Sequence, residues 1–129
     1  MLYVEGRLSP ETRALHKIAR TTVNSALSSI ETKTALIAAS LIGKLNPRME
    51  AEYTIDRLLE TVFNHPQLNA ERAIIERYSR AFPELRNSIS QRHERNRSII
   101  RRRLERALFP LQSARRFQFA KGWSPTIVR

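Results

Sequence analysis

The sequence predicts an all-α protein: a small helical bundle of about four helices, followed by a long Arg-rich helix and an extended C-terminal tail. Three observations carry this prediction. Apolar residues recur at spacings of three to five through most of the chain, which is the period of one helix face. Helix-starting and helix-breaking residues, Ser9-Pro10-Glu11, Asn46-Pro47, Asn64-His65-Pro66 and Phe82-Pro83-Glu84, stand between those runs. A hydrophobic share of 41% over 129 residues is too high for a wholly disordered chain and suits one compact domain with an extension.

Ser9-Pro10-Glu11 opens the first helix with a capping hydroxyl, a proline at the first helical position and an acid in the first turn. Leu15, Ile18, Val23, Ala26, Leu27 and Ile30 then form its apolar face. Ser28-Ser29-Ile30-Glu31 reads either as a capping box that starts a second helix or as the middle of one continuous helix. Residues 35–45 are apolar nearly all round, which predicts a buried central helix.

Asn46-Pro47 caps the next helix, with Met49, Tyr53, Leu58, Leu59, Val62 and Phe63 inward. Asn69 caps a fourth, with Ile74, Ile75, Tyr78 and Phe82 inward. After Pro83 one helix, or two with Ser98 as a second cap, extends to about Phe109. Its stripe is Leu85, Ile89, Asn96, Ile100 and Ala107, with Arg92 and Arg103 inside the same arc. Beyond Pro110 the alternation of Phe117, Phe119, Lys121 and Trp123 predicts an extended tail with those side chains on one side.

Charge divides the chain where this last helix begins. Residues 1–82 form a near-neutral helical body, and residues 83–129 a basic helix and aromatic tail. The net charge is +11, and residues 80–129 hold thirteen Lys and Arg against three Glu. Nineteen of the 23 basic residues are arginine, whose planar fork binds phosphate or carboxylate through two hydrogen bonds and stacks on flat rings. Like charge at this density repels itself, so something nearby in the chain or something bound is expected to offset it.

Enzyme chemistry is not called for. The three glycines are isolated, so no phosphate-cradling loop is built. The histidines His16, His65 and His93 lack metal-ligand spacing, and there is no cysteine. Asp56 is the sole aspartate, and no nucleophile-elbow glycines flank a serine. We expect no catalytic residue, no metal and no cofactor. A helix-turn-helix about Asn46-Pro47 would carry an acidic second helix that repels phosphate, and is rejected.

The cysteine-free composition fits a reducing compartment. MLYVEGRLSP lacks the pattern of a secretory leader. The longest uncharged run, TALIAASLIG at 34–43, would rise only ~15 Å as a helix, about half a bilayer core. The expectation is a cytoplasmic protein, or one of the virion interior if phage-encoded, with a membrane partner disfavoured.

Three constellations remain. Arg92, Arg95, Arg97, Arg101, Arg102, Arg103 and Arg106 face only Glu94 and Glu105 within residues 91–110. Around a slender helix they could reach phosphates on both walls of a nucleic-acid groove and release counterions. In its RHER at 92–95 and RRR at 101–103 this segment resembles the short arginine-rich helices of phage antitermination-type RNA-binding proteins. That resemblance implies that RNA is a physically sensible ligand.

Arg115, Arg116 and Lys121 interleave with Phe117, Phe119 and Trp123, a pattern suited to stacking on single strands, to a membrane interface, or to a tail docked on the core. Glu52, Asp56 and Glu60 form an acidic row at spacing four, able to receive arginines of the 92–106 helix from the same chain or a second copy. The leading expectation is a non-enzymatic, electrostatically driven nucleic-acid-binding protein for RNA or DNA, with weak sequence preference. The alternative is a structural or adaptor protein, phage or plasmid encoded, whose basic helix binds an acidic protein surface or self-associates into a homo-oligomer.

Overall fold

The computed structural model describes residues 3–4, 7–45 and 54–120, with side chains over 9–45 and 54–110. Among the described residues there are four α-helices: α1 (Pro10–Gly43), α2 (Ile55–Phe63), α3 (Asn69–Ala81) and α4 (Arg86–Ala120). Single 3-10 turns, Pro66–Leu68 and Pro83–Leu85, precede α3 and α4. Two antiparallel two-residue strands, β1 (Tyr3–Val4) and β2 (Arg7–Leu8), lie ahead of α1 with Tyr3 opposite Leu8. The all-helical class is as the periodicity predicts.

α1 starts as its sequence dictates. Ser9 Oγ accepts from the Thr12 backbone N–H at 3.2 Å, and Pro10 takes the first helical position, where no N–H is needed. The helix runs straight through Ser28–Glu31, which resolves that ambiguity in favour of one helix. Its buried residues are Thr12, Ala19, Val23, Ala26, Leu27, Ile30, Thr34 and Ala38, a narrow stripe at spacings of three, four and seven. Leu15 and Ile18, expected on that face, are 58% and 57% exposed, and Thr12 and Ala19 hold the inward positions. Residues 35–45 are not a buried central helix: Leu36 is 66% exposed, and Ala38 alone of that stretch is fully buried.

The chain packs as two compact units. The first comprises residues 1–33 and 65–96. Its core is Ala19, Val23, Leu27 and Leu85, flanked by Ile75, Tyr78, Phe82 and Ile89. His16 sets its ring edge-on to Phe82 at 5.2 Å and its Nδ1 3.0 Å from Glu84. His65 N-caps the turn at Pro66, with Nδ1 accepting from the Gln67 N–H. Asn69 is the first residue of α3 and not its cap, and its Oδ1 accepts from Arg72 at 2.5 Å.

Glu71 is buried on α3, where one oxygen, Oε2, accepts from Ser29 and lies 2.7 Å from Lys33 Nζ. Those two donors hold its pKa at about 2, below the ordinary 4.5, against the opposing pull of burial.

The second unit comprises residues 34–64 and 97–129. Its core is Ala38, Leu58, Leu59, Val62, Phe63, Ile100, Leu104 and Leu108. Burying each large side chain of this set contributes about 1.5–3 kcal/mol. α2 begins later than the Asn46-Pro47 cap predicts: Thr54 is its N-cap, with the side chain accepting from the Arg57 N–H at 3.1 Å. Residues 46–53, including Asn46, Met49, Glu52 and Tyr53, lie outside the described residues.

α4 is a single helix, with no restart at Ser98. Pro110 does not end it, and residues 111–120 are helical where the sequence predicts an extended tail. Proline removes one hydrogen bond and crowds the carbonyl four residues before it, a cost that a helix already nucleated over six turns can carry. Arg115, Arg116, Phe117 and Phe119 fall on that helical backbone, so a period of two does not govern 117 and 119. Lys121 and Trp123 lie outside the described residues.

Candidate nucleic-acid interface

The register of α4 follows from which of its residues are apolar. Leu85 in the preceding turn, then Ile89, Asn96, Ile100, Leu104 and Leu108, return at intervals that keep one face inward. The expected stripe holds at Leu85, Ile89, Asn96 and Ile100, Leu104 and Leu108 complete it, and Ala107 is only half-buried and outside the core. Once that face is buried, the directions of the seven arginines are set by arithmetic at about 100° per residue.

Two of the seven are matched by carboxylates. Arg92 lies within the inward arc, half-buried, in the first unit. Its Nε and Nη2 donate to the two Glu31 oxygens at 3.2 and 2.8 Å, while Nη2 also reaches Ser28 Oγ and Nη1 reaches Asn24 Oδ1. This is a bidentate pair with two further hydrogen bonds, and it leaves no fork free for an outside anion. In the second unit Arg101 stands 3.5 Å from both Asp56 and Glu105, with all three side chains well exposed. Exposed pairs of that length contribute about 0–1 kcal/mol and yield readily to a competitor.

The other five differ. Arg97 places its guanidinium 5.6 Å from the centre of the Phe63 ring, a cation–π contact that orients the group without neutralising it. Arg95, Arg102, Arg103 and Arg106 are exposed and in no ion pair among the described residues. Arg102 Nε donates only to the Ser98 carbonyl, at a long 3.5 Å. Arg102 and Arg106 follow each other at spacing four on the water-facing side of α4. Phe109 comes three residues later on the same side and is 67% exposed.

Beside them, in the same unit, a shallow groove of about 350 Å³ is lined by Ala39, Ile42, Arg103, Arg106 and Ala107. Sequence reasoning did not find Phe109, Ala39 or Ile42. The signal for Phe109 was present, since it stands half a helical turn around from the stripe. The groove needs the pairing of two helix faces more than sixty residues apart in sequence.

Of the acidic row, Asp56 meets Arg101 within the chain, Glu60 is exposed without an ion pair among the described residues, and Glu52 is outside them. No group of three or more His, Asp or Glu able to hold a metal exists among the described residues. Nor, among them, is any helix long and apolar enough to cross a membrane. Against protein-family models, curated proteins and solved structures, the chain matches none.

Proposed function

We propose that this protein binds nucleic acid without catalysing a reaction, through phosphate contacts made by the exposed arginines of α4. The observation that supports the reading most is the unequal pairing of one arginine cluster. Arg92 is consumed by Glu31, whereas Arg95, Arg102, Arg103 and Arg106 face water with no carboxylate partner among the described residues. Four unmatched guanidiniums on one helix store repulsion that a polyphosphate relieves, and each phosphate engaged releases condensed counterions. Arg101 adds a fifth contact at small cost, because its pairs to Asp56 and Glu105 are long and exposed.

Sequence preference is weak in this reading. Gln91 and Asn96 are the amide side chains in the cluster, and Asn96 is buried. No array for reading base edges remains.

The test is titration with single-stranded RNA, duplex DNA and heparin between about 50 and about 200 mM salt. The expected result is micromolar or tighter binding to nucleic acid at the low end, falling steeply with salt. The triple variant R102Q/R103Q/R106Q should flatten the log–log salt slope by about 2–3, one unit for each lost phosphate contact. No binding at low salt overturns the proposal. A clean preparation that captures one acidic protein instead would transfer the arginines to the adaptor reading.

A further inference from the structure

We infer that the groove between the end of α1 and α4, together with the exposed Phe109 ring, receives unpaired bases, so that the nucleic acid this protein takes is single-stranded. The inference rests on the nucleic-acid reading above and narrows it. Three features of the second unit carry it.

The groove has the composition of a site for a flat ring beside an anion. It is lined by apolar Ala39, Ile42 and Ala107 together with Arg103 and Arg106, and by no acid among the described residues. A volume of about 350 Å³ stands at the lower end of small-molecule sites, which start at ~300 Å³. Guanidinium planes stack on heterocycles and bind phosphate with the same fork, so Arg103 and Arg106 can hold a base and its own phosphate together.

Phe109 supplies a second platform. It is 67% exposed, three residues from Arg106 and seven from Arg102, so an aromatic face and two phosphate ligands share one side of α4. An exposed phenylalanine among arginines gains little in water, whereas stacking on a base is tolerant of sequence because every base has a flat face.

Among the described residues, the exposed face of α1 next to the groove is uncharged. Leu36, Ala39, Ser40 and Gly43 are the exposed residues of α1 over 34–43, so a strand leaving the groove meets no carboxylate there. In a duplex the bases are stacked on one another and cannot enter, and only the phosphate contacts remain.

Two variants separate base contacts from charge. Phe109 and Ala39 are exposed, so Phe109→Ala and Ala39→Gln leave the core intact, and neither changes the net charge. Fluorescence anisotropy with single-stranded RNA and with a duplex of equal length, at one salt concentration, is the measurement. The wild type should prefer the single strand, and each variant should weaken single-strand binding by about fivefold or more while duplex binding holds within about twofold.

Equal affinity of the wild type for both forms overturns the inference and leaves the electrostatic reading standing. So does an equal loss on both forms in the two variants. Binding to neither form overturns both.

Discussion

Glu71 stands where a carboxylate is expensive. Its side chain is buried, and both of its donors, Lys33 and Ser29, converge on one oxygen, Oε2. The charged form survives because those hydrogen bonds outweigh desolvation, which sets its pKa at about 2 against an unfolded value near 4.5. A pKa lowered on folding contributes stability that is fully present above the unfolded value and is lost as pH falls through the folded one. The stability carried by Glu71 is therefore complete above about pH 4.5 and disappears toward pH 2. Glu71→Gln should cost about 1–3 kcal/mol at neutral pH. In urea denaturation across pH the gap between wild type and variant should narrow below pH 4.5, and a gap independent of pH would mean that packing, not charge, holds this residue. None of this was legible in the sequence, where Glu71 is one acid among several in a polar helix. The same holds for Arg92: nothing near it in sequence announces a partner 61 residues away, so composition alone could not separate it from Arg102.

At the scale of the element, α4 shows which part of a helix its own sequence determines. The inward stripe is readable through Leu85, Ile89, Asn96 and Ile100, because apolar spacing is a local property. Leu104 and Leu108 are masked in the sequence by the dense arginines around them, although they continue the spacing of four from Ile100 and are 0% and 3% exposed. Pro110 reads as the end of the helix because a proline penalty is local, whereas the continuation depends on the turns on either side. α1 failed in the opposite way. The spacing of apolar Leu15 and Ile18 predicts them inward, but Thr12 and Ala19 hold that face, since which residues are covered depends on what packs against them. Leu104 is the test of this register. It is fully buried among Ile100, Leu108 and the α2 residues Leu58, Leu59, Val62 and Phe63. Leu104→Ala should destabilise by about 2–5 kcal/mol in chemical denaturation. A loss below about 0.5 kcal/mol, the range of ordinary surface substitutions, would place Leu104 outside the core and rotate every arginine of α4 with it.

For the molecule as a whole the governing quantity is the net charge of +11 and where it goes unmatched. Two of the favourable pairs of the first unit, Lys33–Glu71 and Arg92–Glu31, are partly buried and so are screened less by salt than the exposed i,i+4 pair Arg80–Glu76, which contributes little. The unmatched arginines, Arg95, Arg102, Arg103 and Arg106, are exposed, and their mutual repulsion is screened strongly. Added sodium chloride should therefore stabilise the fold: Tm should rise as ionic strength goes from about 0.01 M to about 0.1 M, while the Debye length shrinks from ~30 to ~10 Å. In a protein held together mainly by exposed ion pairs the sign is reversed. R102Q/R103Q/R106Q should raise Tm at the low end and lessen its dependence on salt. A polyanion at a hundred times its Kd adds about 2.7 kcal/mol by mass action, so heparin should raise Tm by several degrees at low salt and by less at high salt. Scanning fluorimetry of both proteins across the salt series reads all three effects. A wild-type Tm that falls or stays level with salt would mean that the described carboxylates, or residues beyond the described ones, already balance the cluster. The demand for an external anion would then vanish, because it is the uncompensated repulsion, not the number of arginines, that makes one necessary.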